Sequence, residues 1–204
     1  MLRRLFARPT EQDKTPKPMI IVSGLPRSGT SMLMKMLAEG GVPVLTDELR
    51  SADTDNPNGY YEFEPVKQLV DHQDKWLADG NGKAVKIISA LLEYLPPEYH
   101  YKVIFMERAI KEILASQQKM LSRRNEKSGI EDTAMQEQFE QHLKAVKYWL
   151  ARQPNIDVLY VEYNAMIVNP DAYCEQIAEF VGLPLDMGKM RSVPNSRLYR
   201  NRVS

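Results

Sequence analysis

The chain alternates short apolar runs with longer stretches in which apolar residues recur every three or four positions. The short runs are bounded by turn-forming residues and predict β-strands at 19–23, 42–45, 84–88, 101–106 and 157–161. The longer stretches predict helices at 32–38, 65–78, 110–121, 134–151 and 170–181. Strands that alternate with helices indicate an α/β fold, a three-layer sandwich with a central parallel sheet between two helical layers.

The same pattern divides the chain into three parts. Residues 1–18 carry several prolines among charged residues and predict a flexible leader. Residues 19–184 contain all the predicted strands and helices and form the α/β domain. Residues 185–204 are rich in arginine and poor in apolar residues, so we expect a basic tail that folds over a ligand site or stays extended.

Composition excludes several classes of protein. The 204 residues include 27 basic and 27 acidic side chains, so the net charge is zero and a general nucleic-acid-binding role is not expected. Cys174 is the single cysteine, which excludes a disulfide scaffold and favours a reducing compartment such as the cytoplasm. No apolar run approaches the ~20 residues of a membrane-spanning helix. Nothing in the composition indicates the oligomeric state, and no metal-ligand cluster is apparent.

The most informative segment lies between the first predicted strand and the first predicted helix. There the sequence has the spacing Gly24-x-x-x-x-Gly29, and a glycine-rich turn of this kind directs free backbone N–H groups and the helix dipole at an anion. A nucleotide triphosphate loop would continue with Lys and Ser or Thr. Thr30 stands where that Lys is expected, and Arg27 supplies a cation earlier in the loop. The loop therefore suits a phosphate, but an ATPase or kinase lacks its main residue.

At this loop the sequence resembles the PAPS-dependent sulfotransferases. The segment Pro26-Arg27-Ser28-Gly29-Thr30-Ser31 is similar to their 5′-phosphosulfate loop. A second similarity is Arg108 at the end of a predicted strand, with Ser116 eight residues later on the next helix. A third extends over residues 158–184, from an apolar strand to Gly182-Leu183-Pro184.

The resemblance implies a P-loop NTPase-like fold and the donor PAPS, with PAP as product. It implies that Arg27 stabilises charge near the bridging oxygen, and that Pro26 and residues 28–31 form the cradle of the 5′-phosphate. Arg108 and Ser116 would bind the 3′-phosphate, for which a guanidinium and a hydroxyl are well suited. Basic residues near the C-terminus of some family members reach the same phosphate, and here these would be Arg197 or Arg200.

Sulfuryl transfer also requires a base for the proton of the acceptor hydroxyl or amine. Candidates are Asp47 and Glu48 after the second predicted strand, and Glu62 and Glu64 in the loop that follows. Tyrosylprotein sulfotransferases have a catalytic Glu 21 residues after the loop arginine, and Glu48 lies at that distance from Arg27. Acidic residues in such a loop are usually only solvated, so the four alternatives stay open, with Asp47 and Glu48 slightly favoured.

The sequence therefore predicts a sulfotransferase that moves a sulfuryl group from PAPS to a small-molecule, glycan or peptide acceptor. Two alternatives remain. A kinase or other nucleotide-binding protein would use Arg27 in place of the usual Lys. A non-catalytic PAPS-binding module would retain the phosphate sites without turnover, and the short chain leaves little room for an acceptor site.

Overall fold

The computed structural model describes residues 17–47, 53, 56, 59–123, 125–126 and 131–194. Within these residues, four parallel strands form one sheet in the order β2-β1-β3-β4. They are β1 Met19–Gly24, β2 Ala84–Lys86, β3 Tyr101–Glu107 and β4 Ile156–Glu162. The predicted parallel α/β sheet is confirmed.

Helices cover both faces of this sheet. The α-helices of the described residues are α1 Thr30–Glu39, α2 Ile110–Arg123, α3 Asp132–Leu150, α4 Tyr163–Val168, α5 Pro170–Val181 and α6 Met187–Ser192. Three 3-10 helices lie at Glu64–Asp71, Lys75–Gly80 and Ser89–Tyr94. None of the helices described here combines the length and apolar character needed to cross a bilayer.

Alternate residues of the strands point to two separate cores. Ile20 and Val22 of β1 pack with α1, α4, α5 and α6 on one face. Ile21, between them in sequence, packs on the other face with the 3-10 helices and the end of α3. Because neighbouring side chains on a strand point to opposite faces, the buried β1 is apolar at nearly every position. The arrangement confirms the three predicted layers.

Two sequence-based predictions are wrong. Residues 42–45 do not form a strand, because Pro43 lacks a backbone N–H and only Val44 makes an isolated bridge to Ala84. The predicted helix at 65–78 is replaced by two 3-10 helices. The first ends at Asp71, because the next residue, His72, has a left-handed backbone with φ of 55° and interrupts the helical period.

Two short helices escaped the sequence analysis because each has only six residues. Helix α4 follows β4 directly, and the Glu162 side chain accepts a hydrogen bond from the backbone N–H of Ala165. Helix α6 lies in the segment predicted as a basic tail. Its Met190 is fully buried, and a Cβ on Gly40 would lie 2.7 Å from Met190 Cγ, so α6 fits closely against the end of α1.

Candidate active site

The carboxyl ends of β1, β2 and β3 converge on one edge of the sheet, where ligands of parallel α/β proteins bind. The loop after β1 forms a cradle at the N-terminus of α1. Gly29 precedes the helix with φ of 104°, and a Cβ there would lie 2.4 Å from Cδ2 of Tyr163. Only glycine fits this position, for conformational and steric reasons.

Two buried hydroxyls at the cradle make no hydrogen bond within the described residues. Ser28 is 1% exposed and Ser23 is fully buried, yet neither Oγ has a protein partner. A buried hydroxyl without a partner is costly, so such atoms mark a place for a polar ligand. Together with the first N–H groups of α1, these hydroxyls fit a phosphate-type anion.

Arg27 joins the cradle to the loop region after β3. Its Nε donates to Ser116 Oγ at 3.1 Å, although the two residues lie 89 positions apart. Its backbone carbonyl accepts a hydrogen bond from Nη1 of Arg108 at 3.2 Å. Arg27 also has a left-handed backbone with φ of 71°, a conformation that costs a non-glycine residue about 1–3 kcal/mol. The two motifs found in the sequence therefore lie side by side in one site.

Behind Arg108 lies a buried polar network. Nε of Arg108 donates to Glu112 Oε2 at 2.9 Å, and Asn164 Nδ2 donates to Glu112 Oε1 at 3.2 Å. The guanidinium stacks on the Tyr163 ring, with Cζ 4.4 Å from the ring centre. Burial raises the pKa of Tyr163 above its usual value, while the nearby Arg108 opposes this rise. The network fixes the orientation of Arg108.

The loop that carries two candidate bases is held by hydrogen bonds to backbone atoms. Asp47 Oδ2 accepts from the N–H of Glu64 at 2.6 Å, which places the Asp47 carboxylate at the start of a 3-10 helix. The Glu62 carbonyl accepts from Thr46 Oγ1 and from the N–H of Asp47, both at 3.1 Å. These contacts bring Asp47 and the Glu62 backbone together. The pKa of the nearby Lys67 is raised, mainly by its hydrogen bond to Glu64 and to a smaller extent by the carboxylates of Glu62 and Asp47.

Lys86, which the sequence analysis did not select, is a further cation near the cradle. It ends β2 and its Nζ donates to the carbonyl of Tyr60. The same carbonyl accepts from Oγ of Ser31 in the first turn of α1, at 3.5 Å. The ammonium group is therefore close to the helix N-terminus. A lysine inside the otherwise apolar predicted strand 84–88 is the signal that could have identified this position.

His142 was also missed, because nothing in the sequence connects α3 with the end of β2. Its Nε2 lies 2.8 Å from Oγ of Ser89, which is 2% exposed and begins a 3-10 helix three residues after Lys86. The contact places an imidazole beside the carboxyl edge of the sheet.

The remaining predicted residues divide into two groups. Pro26 is exposed at the tip of the loop and Thr30 is half-buried in the first residue of α1. Glu48, Arg197 and Arg200 lie outside the described residues.

Known proteins share the sequence pattern and the fold of this chain. A model of the sulfotransferase domain matches residues 17–201. A search among curated proteins gives no match. Among solved structures, the chain is similar to mouse sulfotransferase SULT7A1 complexed with PAP, with 16% identity and a TM-score of 0.57 over 93% of this chain and 68% of that one.

Two bacterial structures are also similar. Sulfotransferase STF1 from Mycobacterium tuberculosis has 16% identity and a TM-score of 0.55, over 92% of this chain and 72% of that one. The sulfotransferase domain of the Synechococcus PCC 7002 olefin synthase has 14% identity and a TM-score of 0.53, over 98% of this chain and 87% of that one. At these identities the structures establish the fold, and the domain model establishes the family: the chain belongs to the sulfotransferases.

Proposed function

We propose that this protein transfers a sulfuryl group from PAPS to a hydroxyl or amine acceptor. The observation that carries the proposal is the 3.1 Å hydrogen bond between Arg27 and Ser116. It joins a cradle suited to one phosphate with a guanidinium–hydroxyl pair suited to another. A nucleotide with phosphates on both its 5′ and 3′ positions is the ligand that would use both.

The residues of the site fit this donor. The N–H groups of Gly29, Thr30 and Ser31 and the unpartnered hydroxyl of Ser28 would hold the 5′-phosphate, with Pro26 shaping the loop. Arg108 and Ser116 would hold the 3′-phosphate, and Arg197 or Arg200 would add charge there. PAPS supplies a sulfuryl group already activated as a mixed anhydride with phosphate.

The cations at the cradle would stabilise the charge that develops during transfer. Arg27 lies at the mouth of the loop and Lys86 approaches the first turn of α1 from the end of β2. Preorganised cations and N–H donors of this kind supply a large part of the catalysis of group transfer.

Three carboxylates and one imidazole are candidates for the base that accepts the proton of the acceptor. Glu48, Asp47 and Glu62 come from the loop, and His142 comes from α3. One oxygen of Asp47 already accepts a backbone N–H, which favours a positioning role for this residue. The contact of His142 with buried Ser89 would fix the imidazole ring at the edge of the sheet.

Calorimetric titration tests the donor assignment. We expect PAP to bind more tightly than 5′-AMP, and 5′-AMP more tightly than ATP, because only PAP engages both phosphate sites. Tighter binding of ATP, or ATP hydrolysis, would support the kinase alternative and overturn the proposal.

A screen with radiolabelled PAPS over phenols, alcohols, amines, glycans and peptides would then test transfer. With the acceptor found, the pH profiles of the variants D47N, E48Q, E62Q and H142Q would identify the base, whose loss lowers kcat by about 10²–10⁴-fold. Tight PAP binding without labelling of any acceptor class would favour the non-catalytic module.

We also propose a cytoplasmic location. The single cysteine, Cys174, is buried and reduced, which is compatible with a reducing compartment. Fractionation of cells that express the full chain tests this assignment.

A further inference from the structure

A buried carboxylate lies beside the predicted phosphate sites and has no part in the roles given above. Glu112, in the first turn of α2, is only 3% exposed. Burying a carboxylate is costly unless it is paired and hydrogen-bonded. Its Oε2 accepts from Nε of Arg108 at 2.9 Å, and the two side chains are 4% and 7% exposed.

The other oxygen of the same carboxylate is also used. Oε1 of Glu112 accepts from Nδ2 of Asn164 at 3.2 Å, while Oδ1 of Asn164 is buried and has no hydrogen-bond partner among the described residues. Leaving Oδ1 of Asn164 unpaired in the described structure costs folding free energy, while the amide N–H of the same side chain points at Glu112. This arrangement stabilises the charged form of the carboxylate beside the guanidinium.

The position of Glu112 affects any phosphate that Arg108 binds. The guanidinium of Arg108 is small and planar. An anion bound to it therefore lies within a few ångströms of the Glu112 carboxylate, which accepts the hydrogen bond from Nε. Two like charges at such a distance repel each other, and partial burial reduces the screening by water. Part of the positive charge of Arg108 is thus compensated before a ligand arrives.

We propose that Glu112 is a built-in counter-charge that competes with the 3′-phosphate for Arg108 and so weakens the binding of PAP. This inference rests on the proposed function. The consequence is faster release of the spent donor, since changes in affinity within one site act mostly on dissociation. The pair also keeps Arg108 oriented while the site contains no phosphate.

The variant E112Q isolates the charge. Glutamine has nearly the shape of glutamate, and its Oε1 retains an acceptor for Nε of Arg108. Its new NH₂ group would face Asn164, whose amide can rotate to present the unpartnered Oδ1. The hydrogen bonds to Arg108 and Asn164 are then preserved, while the negative charge is lost.

The experiment compares two ligands that differ only in the 3′-phosphate. PAP and 5′-AMP are titrated calorimetrically into wild type, E112Q and E179Q. Glu179 is an exposed residue of α5, so E179Q makes the same change in net charge away from the site. Dissociation of PAP is followed by stopped-flow displacement.

We expect E112Q to bind PAP about tenfold more tightly and to release it correspondingly more slowly. Binding of 5′-AMP should change by less than about twofold, and E179Q should behave as wild type. An unchanged PAP to 5′-AMP ratio in E112Q, or weaker PAP binding, would overturn the inference. If wild type itself does not prefer PAP, the proposed function fails instead.

A second variant, for which the opposite change in PAP affinity is expected, keeps the test decisive if E112Q does not fold. N164D places a second carboxylate next to Glu112, and such a pair can share one proton. Titrated at pH 9, where that proton is lost more readily than at pH 7, N164D should weaken PAP about threefold or more, with little effect on 5′-AMP. Unchanged or tighter PAP binding by N164D would contradict the counter-charge.

Discussion

Two regions of the proposed site are built in different ways: the donor side, formed by residues 27–31, Arg108, Glu112 and Ser116, and the proposed acceptor side, formed by Thr46, Asp47 and Glu62. On the donor side, Ser28, Glu112 and Ser116 are 1%, 3% and 5% exposed, and a long-range side-chain hydrogen bond connects the loop after β1 with α2. On the acceptor side, Asp47 and Thr46 bind backbone groups of a nearby loop, and the neighbouring Lys67 side chain is 69% exposed. Recognition of two phosphates requires preorganised charges, whereas selection of an acceptor depends on short segments that differ more easily between relatives.

The largest effect is expected on the donor side, at Arg27. R27A removes the charge at the cradle together with the hydrogen bond to Ser116, so kcat/KM should fall about 100-fold or more. R27K, which retains a charge, should lose less. Initial rates with labelled PAPS measure both variants. Activity of R27A within tenfold of wild type would remove Arg27 from the chemistry.

The next effect concerns the steric fit of the cradle. G29A should lower the free energy of unfolding by about 2–5 kcal/mol, because it combines a strained positive φ with a clash against Tyr163. G41A is the matched control, since Gly41 has φ of 97° but nothing within 4 Å of a Cβ. It should lose about 1–2 kcal/mol in urea denaturation. Equal losses of unfolding free energy in the two variants would show that the Tyr163 side chain moves aside at little cost.

A third prediction uses the raised pKa of Tyr163. Above pH 10 the unfolded chain ionises this phenol while the folded protein keeps it protonated, so the stability falls as the pH rises. The contribution is up to about 1.4 kcal/mol per pH unit, and Y163F should remove it. Urea denaturation between pH 9 and pH 11 measures the slope. Y148F is the control, because the Tyr148 side chain is 63% exposed. A slope unchanged by Y163F would contradict the assignment.

The smallest effect is expected on the acceptor side. T46V removes one hydrogen bond from the hydroxyl to the Glu62 carbonyl with little change in shape, and should cost about 1 kcal/mol or less. The Kd of PAP should stay the same, because the donor side is built independently. A weaker PAP complex in T46V would show that the donor side and the proposed acceptor side are coupled.

The sequence signals of the proposed donor side are local. A strand, a glycine-rich turn and a helix follow each other in β1 and α1, and Arg108 and Ser116 are eight residues apart. The acceptor side gave weaker signals. Its loop carboxylates could be ranked only weakly as candidates for the base. The contact of His142 with Ser89 joins residues 53 positions apart, and no sequence pattern predicts it.

The local order of apolar and turn-forming residues was enough to predict the four strands, the glycine-rich turn before α1 and the longer helices, although it also predicted a strand at 42–45 and a helix at 65–78 that do not form. These features depend on side-chain alternation and on backbone conformations that glycine permits. The order of the strands, the replacement of a predicted helix by two 3-10 helices and the meeting of Arg27, Ser116 and Arg108 depend on packing. Packing brings together residues that are far apart in the chain, and their contacts stabilise the protein only once both cores are packed.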